Sequence, residues 1–112
     1  MTRVTLIIAA LALLVPTSAL AQNAAQIEKG KQVYAREKCA VCHSVGGAGN
    51  KKGPLDHVGT RLSPDDIRAW IVSAPEMTTK AKATRKPLMK SYPQLAKDDL
   101  EALVAYMASL KK

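Results

Sequence analysis

Residues 38–44 read KCAVCHS, and Cys39, Cys42 and His43 within them are the only two cysteines and one of the two histidines of a 112-residue chain. Two thiols three positions apart, with an imidazole directly after the second, suit a zinc site, a thiol redox pair, a disulfide or a covalently anchored prosthetic group. Zinc asks for about four ligands, usually as two pairs, and beyond this cluster the chain adds only His57 to its cysteines and histidines. A thioredoxin-like pair follows a strand in a βαβ unit, whereas residues 24–38 carry a helical pattern. A disulfide here would close too small a loop to stabilise much.

The N-terminus sets the compartment. Arg3 precedes a mainly apolar run at residues 4–15, Pro16 interrupts it, and Ala19-Leu20-Ala21 follows. Charge, short apolar core and A-x-A site together predict a secretory leader over residues 1–21, cleaved after Ala21. The apolar run falls short of the ~20 residues that span a bilayer. The expected product is a periplasmic domain of residues 22–112 with no lasting membrane insertion. Seventeen Lys and Arg against nine Asp and Glu give +8 at pH 7, a balance that attracts acidic proteins or anionic surfaces; export argues against nucleic acid as the partner. The aromatic content is thin: Trp70, Tyr34, Tyr92 and Tyr106, and no Phe. A domain this small commonly draws stability from a bound group.

Helices dominate the pattern, and no stretch alternates with period two. Ile27, Gly30, Val33 and Tyr34 form one stripe of the first helix, residues 24–38. Gly30 is a gap in it that costs roughly 1 kcal/mol relative to Ala, which predicts close approach of another helix. GGAGNKKGPLDHVG, residues 46–59, is loop by composition. Ser63-Pro64-Asp65-Asp66 opens a short helix to about residue 73 that buries Ile67, Trp70 and Ile71. Pro75, Pro87 and Pro93 predict a wrapped loop over residues 74–96 with at most a turn of helix. Leu100, Leu103, Val104, Met107 and Leu110 mark the last helix, with Asp98 and Glu101 as a capping pair. The fold class is all-α, with the terminal helices packed together and long loops between.

In an exported chain, C-x-x-C-H points to covalent haem c, one per chain. Two thiols on one helical turn can bond two vinyl groups on one porphyrin edge, and His43 can reach under the iron as an axial ligand. GKQVYAREKCAVCHS, KKGPLDHVGTR, AWI and EALVAYM, in that order, resemble the class I monohaem cytochromes c over nearly the whole mature length. The resemblance implies a cytochrome c fold with its first and last helices crossing near Gly30 beside Tyr106. It also implies that the Pro54 carbonyl accepts a bond from His43 and that Arg61 and Trp70 meet a haem propionate.

Met77, Met89, Met107 and His57 compete for the second axial position. Met107 lies on the core stripe of the last helix, Met77 starts the expected loop, and His57 follows the Gly53-Pro54 loop. Met89, in KPLMKSYP, lies between two prolines that stiffen its loop and resembles the family's distal methionine, although Lys90 rather than proline follows it. His43 and Met89 together predict an electron carrier rather than an enzyme. Lys80, Lys82, Arg85, Lys86 and Lys90 on the same loop predict an acidic redox partner met in a transient complex by a monomer. A permanent cytochrome subunit of an oxidoreductase is the alternative, and a ligand sensor or peroxidase follows if Met89 is not a stable ligand.

Overall fold

The computed structural model describes residues 18–112. The apolar run of the expected leader, residues 4–15, lies outside the described residues. The elements in chain order are α1 (Ser18–Arg36), a 3₁₀ turn (Cys39–Val41), β1 (Ser44–Val45), β2 (Ala48–Gly49), α2 (Val58–Arg61), α3 (Pro64–Val72), α4 (Ala74–Ala81) and α5 (Lys97–Ser109). The fold is all-α, as expected. Among the described residues no helix is long and apolar enough to cross a membrane.

The α1/α5 crossing is the largest contact between elements, and Gly30 makes it possible. A Cβ at residue 30 would run into the Ala102 carbonyl and the Cβ of Tyr106, so the cost of a helical glycine is offset by backbone approach. Beside it the rings of Tyr34 and Tyr106 meet edge to face, centroids 5.7 Å apart at 87°. Val33, Leu103, Val104 and Met107 continue this core toward Ile67 and Ile71 of α3 and Val58 of α2. Arg36 ties the outer edge of the crossing to Asp99 at 3.0 Å.

Helix α3 starts as its sequence predicts: the Ser63 hydroxyl accepts the Asp66 N–H at 3.1 Å and Pro64 occupies the first turn. Ile67 and Ile71 are buried, whereas Trp70 is half-buried. The expected capping pair of α5 does not form. The helix starts at Lys97 after Ala96, which places Asp98 inside the first turn, where its charge suits the helix dipole. Glu101 turns to Arg68 of α3 instead, accepting from Nε at 2.8 Å and Nη2 at 2.7 Å.

The long expected loop begins with a helix. Pro75 sits in the first turn of α4, where a missing N–H costs nothing, so it opens α4 rather than preventing a helix. The loop proper is residues 82–96. Two bonds pin its far end to α3 and α4: Tyr92 N–H donates to the Ile71 carbonyl at 2.7 Å, and the Ser91 hydroxyl accepts from Ala74 N–H at 2.9 Å. Residues 46–59 also hold more order than composition suggests. A Gly46-Gly47 turn joins β1 and β2 into a hairpin too short for any periodicity, and α2 is a single turn.

Candidate functional site

Lys38 leaves α1 in the left-handed region, φ 57°, and turns the chain into the 3₁₀ turn. That is why α1 stops short of the expected residue 38. In a 3₁₀ turn residues three apart eclipse, so Cys39 and Cys42 fall on one side. Both are free and partly buried. Burial, with the nearby charge of Glu37, pushes the Cys39 thiol up to about 11. Redox-active C-x-x-C pairs depend on a lowered thiol pKa, so the environment of Cys39 opposes a thioredoxin-like role. No cluster of three or more His, Cys, Asp or Glu among the described residues could hold a metal ion by itself, which argues against zinc.

His43 is held from behind. Its Nδ1 donates to the carbonyl of Gly53 at 3.1 Å, and since a carbonyl only accepts, the proton sits on Nδ1 and the lone pair on Nε2. The acceptor is thus Gly53 and not Pro54. Ser44 N–H donates to the same Gly53 carbonyl at 3.0 Å, and the Ser44 carbonyl accepts from Leu55 N–H at 2.8 Å. This short parallel pairing flanks Pro54 and leaves the Gly53 oxygen nearest the ring. Burial lowers the His43 pKa, with Arg85 acting the same way against the Gly53 bond; the neutral ring is the form that ligates metal.

Asn50 belongs to the site although no motif announces it. Its N–H bonds the carbonyls of Ala40 and His43, its side-chain amide donates to the Val41 carbonyl at 3.1 Å, and its side-chain oxygen accepts from Lys52 N–H at 3.0 Å. One residue closes the loop of residues 46–53 over the cysteine turn. Asn within a glycine-rich stretch is a turn signal, but nothing local says which turn it would bind.

Met89 is half-buried in the loop that lies against this cluster. Four residues before it Arg85 packs on Gly53; after it Lys90 and Tyr92 come within electrostatic reach of Cys39. The other candidates sit elsewhere. Met107 is buried in the α5 core and Met77 is on α4. His57 is exposed where α2 begins and, with Pro54, Asp56 and Arg61, lines an open hollow of about 390 Å³. Arg61 thus faces a cavity without a carboxylate partner among the described residues, while Trp70, on α3, does not line it.

Matched against families, residues 27–111 fit the model of cytochrome c. The chain belongs to the cytochrome c family. It is a small c-type cytochrome that binds haem c covalently through Cys39 and Cys42, and its role is electron transfer. The donor set fits that group: two free thiols on one turn, and an imidazole with Nδ1 engaged and Nε2 available. Among curated relatives, cytochrome c oxidase subunit 2 of Alkalihalophilus pseudofirmus is 32% identical over 86% of this chain and 27% of its own length. A nicotinate dehydrogenase subunit of Pseudomonas putida is 31% identical over 78% of this chain and 9% of its own. The chain thus spans about a quarter of one relative and less than a tenth of the other. No solved structure matches.

Proposed function

We propose that this cytochrome is a periplasmic one-electron carrier whose iron lies between His43 and Met89, and that it exchanges electrons with acidic redox proteins. The orientation of His43 carries the reading: a half-buried imidazole bound through Nδ1 to Gly53 leaves the Nε2 lone pair available, the arrangement in which a histidine would serve as an axial ligand. Bound haem supplies exchange of a single electron between ferrous and ferric states. The side chains do the rest. Cys39 and Cys42 anchor the group, and His43 and Met89 as its two iron ligands would leave no open position for oxygen or peroxide. Ser91 and Tyr92 tether the methionine loop so that both redox states meet the same geometry.

Ferric Met-ligated haem has a weak near-infrared band. Met89→Ala is expected to abolish it and to open the ferrous protein to carbon monoxide; a surviving band would move the ligand to another residue. Lys80, Lys82, Arg85, Lys86 and Lys90 are exposed, which suits steering toward an acidic face. Electron-transfer rates to an acidic partner should then fall as salt rises, and a flat dependence would refute steering. Export is tested by the N-terminus of the purified protein, expected at Gln22.

A permanent subunit is the second reading, and the surface gives it support. Val41, between the two cysteines, is 69% exposed, and Leu88, next to Met89, is 47% exposed. Both matched relatives are named as subunits of oxidoreductases. Co-purification of the native protein from the exported fraction separates the two: a free monomer supports the carrier, a stable complex the subunit.

A further inference from the structure

One cation of the methionine loop, though exposed, also rests against the loop that holds His43. The Arg85 guanidinium lies over Gly53 so closely that a Cβ there would collide with Nη1 and stand 3.0 Å from Cζ. Gly53 is the residue whose carbonyl holds His43. Arg85 forms no ion pair among the described residues, so its charge stands uncompensated by protein carboxylates.

The geometry points to Arg85 as a positioning residue: it latches the Met89 loop onto the loop that orients His43, and sets a positive charge on the Gly53 side of His43 that would favour the reduced state of bound haem. This rests on the haem-carrier reading above. Oxidation leaves one more positive charge at the metal, and a nearby cation makes that state costlier. The planar guanidinium, with its delocalised charge, packs against a backbone in a way a compact ammonium does not. Gly53 has no side chain to prevent the approach.

The test compares the haem-loaded wild type with Arg85→Met and Arg85→Lys. Losing the charge should shift the reduction equilibrium roughly threefold toward the oxidised form, a fall of about 30 mV at 59 mV per tenfold for one electron. Added salt should shrink the difference. Arg85→Lys keeps the charge and should hold the wild-type potential while loosening the latch, read as tighter binding of added imidazole to the ferric protein. An unchanged potential in Arg85→Met, or an equal fall in Arg85→Lys, overturns the proposal. If Arg85→Met does not fold, Arg85→Gln takes its place with the same expectations. The near-infrared methionine band is recorded on each variant: its presence shows Met89 bound, so a failed Arg85 expectation is distinguishable from a failed ligand assignment.

Discussion

At the scale of single residues, the site depends on a few polar groups that each join separate turns of the chain. Asn50 illustrates this, because its side chain and backbone join three turns. Asn50→Ala removes the exposed bond to the Val41 carbonyl and the bond from Lys52 N–H and is expected to cost about 0.5–1.5 kcal/mol in denaturant unfolding, with a larger fraction of protein failing to retain haem. Tyr34 presents the opposite case. Its hydroxyl is buried without a partner, and burial pushes its pKa up to about 12. Removing an unsatisfied hydroxyl while keeping the ring is neutral or favourable, so Tyr34→Phe should leave stability unchanged or raise it by up to about 1 kcal/mol. A clear loss would show that the hydroxyl has a partner in the haem-loaded protein. That hydroxyl is invisible to sequence reasoning, since Tyr34 reads as one more apolar position on the α1 stripe.

At the scale of elements, local chemistry and packing contribute differently. Helix α3 is specified locally: Ser63, Pro64 and two acids build its start, and Ser63→Ala should cost about 1 kcal/mol. The α1/α5 crossing depends on tertiary contact. Gly30→Ala gains helix propensity but drives a methyl into the Ala102 carbonyl and Tyr106. The net expectation is a loss of at least about 2 kcal/mol by urea unfolding; a gain would mean the helices can separate at no cost. Helix α4 shows the limit of reading prolines as breaks. Pro75 starts a helix because its position in the turn, not its identity, decides the outcome. Asp98 and Glu101 fail as a capping pair for a related reason: the helix begins one residue before Asp98, and Arg68 on another element offers Glu101 two bonds.

At the scale of the whole molecule, charge links stability to pH. Bonding to Arg68 holds Glu101 below its usual 4.5, and bonding to Arg36 holds Asp99 below its usual 3.8. A carboxylate depressed on folding contributes stability that is complete above its unfolded value and is lost as pH falls through the folded one. Glu101→Gln is therefore expected to lower the melting temperature by about 3 °C at neutral pH, and the difference should vanish by about pH 2. A difference that persisted in acid would assign the effect to packing rather than to the Arg68 pair.

The sequence by itself determined the cofactor, the helical class and the gap at Gly30. Each of these is carried by near neighbours: two thiols and an imidazole in five residues, a 3.6-residue stripe, a glycine within it. Tertiary structure alone decided that Gly53 rather than Pro54 supports His43, that Glu101 belongs to Arg68, and that the exposed Arg85 rests its guanidinium against Gly53. These are contacts between residues 10, 33 and 32 positions apart. No local pattern encodes such pairs, because which carbonyl, carboxylate or backbone a side chain meets depends on where whole elements come to rest.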